Sequence, residues 1–459
     1  MFDLKTVNKD KNVFFIGIGG ISMSALAHIL KNDGFSVCGS DFKESDTTKE
    51  LVSSGIPVAI GHRGENVEGA GLVVYTAAIK PENPELCRAR ELGIPTIERA
   101  VLLGEMMKNY RYPVAVSGTH GKTTATSMLS HVLCESELDP TILVGGVLPL
   151  IGGNFRDGGK DYFVTEACEY CGSFLKFYPL YSIILNIEED HLDYFKDIDD
   201  IIDCFSQFVA KTPEEGAVIA NFDDPEVVVA TKNNPAKTVS YGIQNKSCDY
   251  VAENIVFSEK GYPEFDVMEK GEFFAHISLN VPGLHNVSNS LAVLAVSRLL
   301  GVSKEGIAKG LASFSGTNRR FEYKGTVNDA KIYDDYAHHP TEIKATLSAA
   351  KSTGAKRVRC VFQPHTYTRT YALKDDFAQS FTDCDDLIIT DIFAAREPDT
   401  GLIHASELAE VISGAKYIKE FSDIEKYFKD TAQDGDIIFT MGAGDIYKVG
   451  ENMIKDGKQ

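Results

Sequence analysis

Apolar residues run in short unbroken stretches along this chain. Each stretch is followed by a turn and then by apolar positions spaced every three to four residues. Runs without polar alternation suit strands buried on both faces, so the rhythm predicts an α/β fold of parallel sheets covered by helices. Strands are expected at Val13–Gly19, Val37–Ser40, Leu72–Ala77, Val114–Ser117, Tyr162–Glu166, Ser182–Ile187 and Ala217–Asn221, then at Ala330–Asp335, Arg357–Gln363, Leu387–Asp391 and Ile437–Met441. Between Thr238 and Val281 the apolar positions alternate without helical period, which predicts an antiparallel extension of the middle sheet. Breaks before Pro113 and at S-G-T-N, Ser315–Asn318, divide the chain into expected units 1–111, 112–317 and 318–459. That division agrees with 459 residues at roughly 150 per domain.

Composition narrows the function classes. A net charge of −20 argues against nucleic acid or an anionic membrane surface as the main partner. No apolar stretch reaches 18 residues, so no membrane span is expected. The opening MFDLKTVNKDKN lacks the apolar core of a signal peptide, and a cytoplasmic protein is expected. Nine scattered cysteines are read as reduced, mostly buried thiols. Cys168 and Cys171 have C-x-x-C spacing, but no second pair completes a zinc set.

The richest chemistry lies in V-S-G-T-H-G-K-T-T, Val116 to Thr124, where a buried strand meets a glycine-bearing turn and a helix start. Gly118, Thr119, His120 and Gly121 would close backbone N–H groups around phosphate oxygens; Lys122 would reach the terminal phosphates, and Thr123, followed by Thr124, would hold Mg²⁺. ATP and Mg²⁺ are the cofactors this implies. The pattern departs from the usual phosphate loop, with Val116 at the first glycine position. Earlier, G-I-G-G-I-S-M-S places Gly17, Gly19 and Gly20 after the first strand, and Asp41 ends the second. This fits a diphosphate at a helix N-terminus, with NAD and a UDP-sugar both open. Glu166 and the N-I-E-E-D-H segment ending at His191 fall at strand C-termini, where they could bind a cation, with Asp190 and Asp193 as alternatives. G-L-H-N-V-S-N, carrying His285, Asn286 and Asn289, suits purine edges or phosphate, or equally an ordinary helix cap. In the last third, N-R-R-F, D-D-Y-A-H-H-P, Q-P-H-T-Y-T-R-T and M-G-A-G-D carry His, Arg and aromatic residues; the last three motifs follow strands and converge on one sheet edge as a binding site.

Taken in order, G-T-H-G-K-T-T, N-I-E-E-D-H-L-D, G-L-H-N-V-S-N, R-R-F-E and D-D-Y-A-H-H-P-T-E-I resemble the Mur ligases over nearly the whole chain. The resemblance implies three domains: an N-terminal Rossmann-like one holding UDP, a central P-loop ATPase-type α/β one, and a C-terminal Rossmann-like one bringing the amino acid. G-I-G-G-I-S-M-S and F-Q-P-H-T-Y-T-R-T resemble the branch that joins L-alanine to the lactyl carboxylate of UDP-N-acetylmuramate in peptidoglycan precursor synthesis. Phosphorylation by ATP gives the carboxylate a leaving group, and the amine of alanine attacks the acyl phosphate. By the same resemblance, Lys122 and Thr123 contact phosphate and Mg²⁺, and Glu166 and His191 are second metal-site ligands. His285, Asn286 and Asn289 lie near adenine and the transferred phosphate, and Arg319 or Arg320 faces ATP after closure. Tyr336, His338, His365 and Arg369 form the alanine pocket, with Arg369 on the carboxylate. Gly17, Gly19, Gly20, Asp41, His62 and Thr76 serve the UDP portion. A monomer or weak homodimer is expected.

This chain departs from the family pattern in places. It reads E-A-C-E-Y-C, with Cys168 and Cys171 where relatives carry aspartates, and it has Thr366 where arginine is common. Ser206 stands where some sister ligases use a carbamylated lysine, so no such modification is expected. The competing readings are a ligase recycling intact peptides onto the same sugar nucleotide, a sugar-nucleotide oxidoreductase and a P-loop regulatory switch.

Overall fold

A computed structural model describes residues 3–395 and 397–456; the outer ends of the first and last expected units lie outside the described residues. The described residues build three sheets, of five, ten and six strands. The first is wholly parallel, in the spatial order Val58–Ile60, Val37–Asp41, Asn12–Ile16, Ala70–Tyr75, Thr96–Glu98. Its order reverses between Asn12–Ile16 and Ala70–Tyr75, and the glycine loop after Ile16 sits at that switch point, where open α/β sheets bind ligands.

The middle sheet has a parallel centre in which Tyr112–Ser117 lies between Tyr181–Ile184 and Tyr162–Glu166. Beyond Ala217–Asn221, Lys237–Gly242 still pairs in parallel, and so does the start of Tyr250–Phe257. On this side of the sheet Tyr250–Phe257, Pro263–Glu269 and Glu272–Ser278 pair antiparallel, so the expected extension is antiparallel in its outer part. The opposite edge carries a second antiparallel pair, Thr141–Leu148 with Gly153–Arg156.

In the third sheet Ala330–Asp335, Asp436–Met441, Arg357–Phe362 and Asp386–Ile389 run parallel and adjacent, with their carboxyl ends on one edge. All eleven expected strands are present, several shifted by one to three residues. The expected strands ran too long at Ile187, Gln363 and Asp391, because the ladder ends where loop residues turn toward the site.

The three units are joined unequally. One apolar core runs from the first sheet into the middle one, taking in Phe15, Leu103, Met107, Phe163, Phe174 and Phe205. It closes where Gly104 of helix Arg99–Met107 meets the chain at Lys176: a Cβ on Gly104 would lie 1.9 Å from the Lys176 carbonyl oxygen. The buried clusters of the last unit, by contrast, draw only on residues from Ala337 or Val327 onward.

Inside the last sheet the largest fully buried side chain is Arg359. Its guanidinium donates to Asp386 Oδ2 at 2.6 Å and to Thr431 Oγ1 at 2.7 Å, lies 3.4 Å from Asp436 Oδ2 and covers the Phe428 ring. Burial works against both carboxylates, yet hydrogen bonds from Arg357, Arg359 and Lys416 hold them below the ordinary aspartate value of 3.8. Groups lowered in this way stabilise the fold above that value, and the contribution is lost as pH falls through the folded values. Arg359→Met is therefore expected to lower the free energy of unfolding by roughly 3–5 kcal/mol by leaving buried charge uncompensated. It should also flatten the acid-side dependence of stability. Urea denaturation followed by circular dichroism at neutral pH and near pH 3, below the ordinary aspartate value, checks both outcomes.

Candidate active site

Helix Lys122–Glu135 begins at Gly121, which is held at φ +82°. A side chain on Gly121 would meet Asn289 Oδ1 at 2.8 Å, and one on Gly118, at φ +144°, would meet Leu185 Cβ at 2.9 Å. Glycine is required at both places for conformation and for space. The loop is pinned from the neighbouring strand end: Asn186 Oδ1 accepts the His120 N–H at 2.7 Å, its carbonyl accepts the Thr119 N–H, and Thr119 Oγ1 accepts the Glu188 N–H. Asn186 was not singled out in the sequence, where it reads as the polar end of a strand.

Lys122 folds back over this loop. Its ammonium donates to the Gly118 and Thr119 carbonyls and pairs with Glu169, 3.0 Å away and buried. Burial opposes the lysine charge, but Glu169 outweighs it and raises the group above its ordinary value.

Beside the loop opens a cavity of about 850 Å³. His120, Gly121 and Thr124 line one side, His285, Asn286 and Asn289 the next, and Arg320 and Glu342 of the last unit face them. Burial drives His285 down to about 4, leaving a neutral ring. Asn286 and Asn289 are bonded to each other at 3.3 Å, so the G-L-H-N-V-S-N segment forms a cavity wall as well as a helix start.

The two candidate arginines part company. Arg319 is bound within its own unit, to Asp334 Oδ2 at 2.9 Å and to the Gly442 and Gly444 carbonyls. Arg320 faces the cavity, 3.5 Å from Glu342 and stacked over Tyr336.

Arg369, His365, His338 and Tyr336 come together as expected, but the guanidinium is not free. Its Nε and Nη2 donate to Asp190 Oδ1 of the middle unit at 2.9 and 2.8 Å, and its Nη1 lies 3.2 Å from His365 Nδ1. Burial works against the Asp190 charge, yet Arg369 holds that carboxyl far below its usual range. Burial, then Arg369, lowers His365 to about 4; burial likewise takes His338 to about 3 despite Glu342. Both rings are neutral acceptors at pH 7. Thr366 sits at φ +66° with its N–H on the Phe393 carbonyl.

The residues expected at a metal are arranged less tightly. Glu166 accepts the Gly145 N–H at 2.5 Å, and His191, at φ +54°, lies 3.7 Å from Glu169 and 3.8 Å from Asp190. Among the described residues, His120, Glu188 and His339 have ligand atoms within 4.8 Å of one another, near enough to share a cation, but against burial Glu188 and Glu342 keep His120 protonated, which takes its ring out of such a set. Ser206 is bonded to the Ile202 carbonyl within its helix, with no lysine in that place.

At the first sheet, Asp41 Oδ2 accepts the Gly19 N–H at 2.9 Å, so Asp41 braces the glycine loop. Gly17 takes φ +78°, and Gly20 starts helix Ile21–Asn32. Thr76 turns the chain after its strand, its Oγ1 accepting the Ala78 N–H. His62 rests on a fully buried Glu85 at 2.7 Å, shared with Ser40 at 2.7 Å and Asn66 at 2.6 Å. Arg99 reaches the loop through Ser22 Oγ at 3.0 Å. Glu85 and Arg99 were missed because each opens a helix and reads as first-turn composition.

Comparison with known proteins follows the same three-part division. Residues 12–111 match the catalytic-domain model of the Mur ligase family, 116–297 the Mur ligase middle domain, and 319–444 the Mur ligase glutamate ligase domain. The UDP-N-acetylmuramate–L-alanine ligase of Acetivibrio thermocellus is 54% identical, across 98% of this chain and 97% of its own. Among solved structures, the UDP-N-acetylmuramate-alanine ligase of Thermotoga maritima superposes with a TM-score of 0.80 at 28% identity, covering 98% of this chain and 99% of its own. A murein peptide ligase from Psychrobacter arcticus gives 0.71 at 27%, covering 97% and 98%. With all three sheets accounted for in order and more than half the sequence shared with a relative of nearly the same length, this chain belongs to the Mur ligase family.

Proposed function

We propose that this protein joins L-alanine to the lactyl carboxylate of UDP-N-acetylmuramate at the expense of ATP, in the making of a peptidoglycan precursor. The observation that carries the reading is the meeting of a phosphate loop and a His–Arg cluster across one joint, in a chain 54% identical to a UDP-N-acetylmuramate–L-alanine ligase. Work is divided among units 1–111 for the sugar nucleotide, 112–317 for ATP and 318–459 for the amino acid. The protein acts in the cytoplasm, as a monomer or weak homodimer.

The cavity of about 850 Å³ against the loop has room for a nucleoside triphosphate. Gly118 and Gly121 keep the loop open to phosphate oxygens, and Lys122 exchanges Glu169 for the terminal phosphate. Thr123, Glu166 and His191 hold Mg²⁺, which when bound supplies charge neutralisation around the phosphates. Neutral His285 with Asn286 and Asn289 borders the base, and Arg320 faces the phosphoryl group from the other side. Gly17, Gly19, Gly20, Asp41, His62 and Thr76 border the UDP. A carboxylate cannot expel oxide, so phosphorylation comes first, with ADP leaving as the terminal phosphoryl group bonds to the carboxylate oxygen; the amine nitrogen then bonds to the acyl carbon, and phosphate departs with the electron pair of the broken C–O bond and the proton shed by the nitrogen. Arg369, steadied by Asp190, binds the alanine carboxylate. His338, with its proton on Nδ1, accepts a hydrogen bond from the incoming amine at Nε2; His365 spends its acceptor nitrogen on Arg369 and steadies that guanidinium, and Tyr336 closes the pocket wall.

Three outcomes are expected. With ATP, Mg²⁺ and UDP-N-acetylmuramate, phosphate release depends on L-alanine, and mass spectrometry finds the sugar nucleotide heavier by one alanyl residue. Turnover only with a tripeptide would assign the recycling reaction instead. Lys122→Ala lowers kcat by about 10²–10³-fold. It also loses stability, because Glu169 is left buried without its partner; adding Glu169→Gln restores the stability but not the turnover. Arg369→Ala removes a charge-assisted contact of roughly 1.5–3 kcal/mol and raises the alanine KM by about 10–150-fold, while the KM for ATP stays within about twofold. An unchanged alanine KM removes Arg369 from the pocket.

A further inference from the structure

Glu342 is the third residue of helix Pro340–Ser352, a place where an acid ordinarily serves only the helix dipole. Here its side chain is 12% exposed and is shared among three parts of the site. Oε1 lies 3.4 Å from Nδ1 of His120, in the phosphate loop of the middle unit, and 3.5 Å from Nη1 of Arg320, on the cavity wall. Oε2 accepts the His338 backbone N–H at 3.0 Å and lies 3.2 Å from His338 Nδ1. That nitrogen also faces the Tyr336 carbonyl at 3.0 Å. With two acceptors around it, Nδ1 carries the proton, and Nε2 is left as the acceptor.

One largely buried carboxylate therefore touches the nucleotide loop, the cationic wall of the cavity and the ring beside the amino-acid pocket. We infer that Glu342 is a positioning residue that couples occupancy of the nucleotide cavity to the affinity of the amino-acid pocket. The inference rests on the function proposed above. Coupling between two sites requires two states that both ligands discriminate. The docked state has contacts across the joint at His120–Glu342, Thr341–Glu188, His339–Glu189 and Arg369–Asp190. A nucleotide touching both His120 and Arg320 favours that state, and so does an amino acid held by Arg369 and His338. Glu342 is the group in reach of both ligands' contacts. Removing its charge leaves each half-site present and breaks the link between them.

The test uses the full-length protein with UDP-N-acetylmuramate bound. L-Alanine is titrated calorimetrically with and without Mg²⁺ and the β,γ-imido analogue of ATP. In the wild type the analogue tightens alanine binding by about 5–150-fold, and alanine tightens the analogue by the same factor. In Glu342→Gln both ligands still bind, but the factor falls to about one. In Glu342→Asp, which keeps the charge on a shorter arm, part of the factor returns. If Glu342→Gln does not fold, as judged by circular dichroism, Glu342→Asp decides alone: a factor reduced by about threefold or more supports the inference, and an unchanged one overturns it. No coupling in the wild type, or wild-type coupling in Glu342→Gln, also overturns it. A wild-type protein that makes no alanylated product overturns the functional reading itself, whatever Glu342 does.

Discussion

Taking a charged side chain out of water costs several kcal/mol unless an opposite charge or a set of hydrogen bonds meets it, and the joint between the middle and last units is built on meeting that cost. Among the described residues, no apolar cluster of the last unit crosses it. His120 is held between Glu188 and Glu342, and burial, which would lower its pKa, is overcome by those two carboxylates, which raise it to about 9. Arg369 meets Asp190 in the same joint. A contact made of paired charges is geometrically selective: a small rotation costs both partners their hydration without returning the pairing. An apolar joint would tolerate sliding.

This electrostatic joint also sets the protonation states around the chemistry. Arg369 and its neighbours hold Asp190 ionised, and burial keeps His338, His365 and His285 neutral. The site thus combines fixed cations, fixed anions and neutral rings in a small volume. Such an arrangement suits a reaction in which charge moves from a carboxylate to a phosphate, because its dipoles are already aimed and need no reorganisation.

Most of the fold was legible because buried parallel strands have an unmistakable composition. Some elements escaped notice because they are short, such as Val58–Ile60, Thr96–Glu98 and Lys416–Tyr417, whose two or three residues carry too little pattern; Thr141–Leu148 and Glu322–Val327 are longer, but glycines interrupt their apolar run. The loops announced themselves through glycine and through Lys122. What the sequence could not disclose is which charges meet across units. Asp190 lies 179 positions from Arg369, and nothing local marks the pair. Glu342 and Glu85 sit in first helical turns, where acids are common for reasons of the dipole, so their burial and shared partners appear only in three dimensions. The two arginines after Asn318 illustrate the same limit: adjacent in sequence, one braces its own sheet and the other faces the cavity.

The close approach of Gly104 to the Lys176 carbonyl has an evolutionary consequence. A gene exchange that replaced the first hundred residues would cut through a packed interior, and the incoming segment would have to match Phe163, Phe174 and Phe205 in shape. An exchange at Ser315–Asn318 would cut no shared apolar core and would sever mainly polar pairs, which a handful of substitutions can re-establish. Such a lineage can borrow a new terminal module, and with it a new incoming nucleophile, far more readily than it can change the sugar carrier it works on.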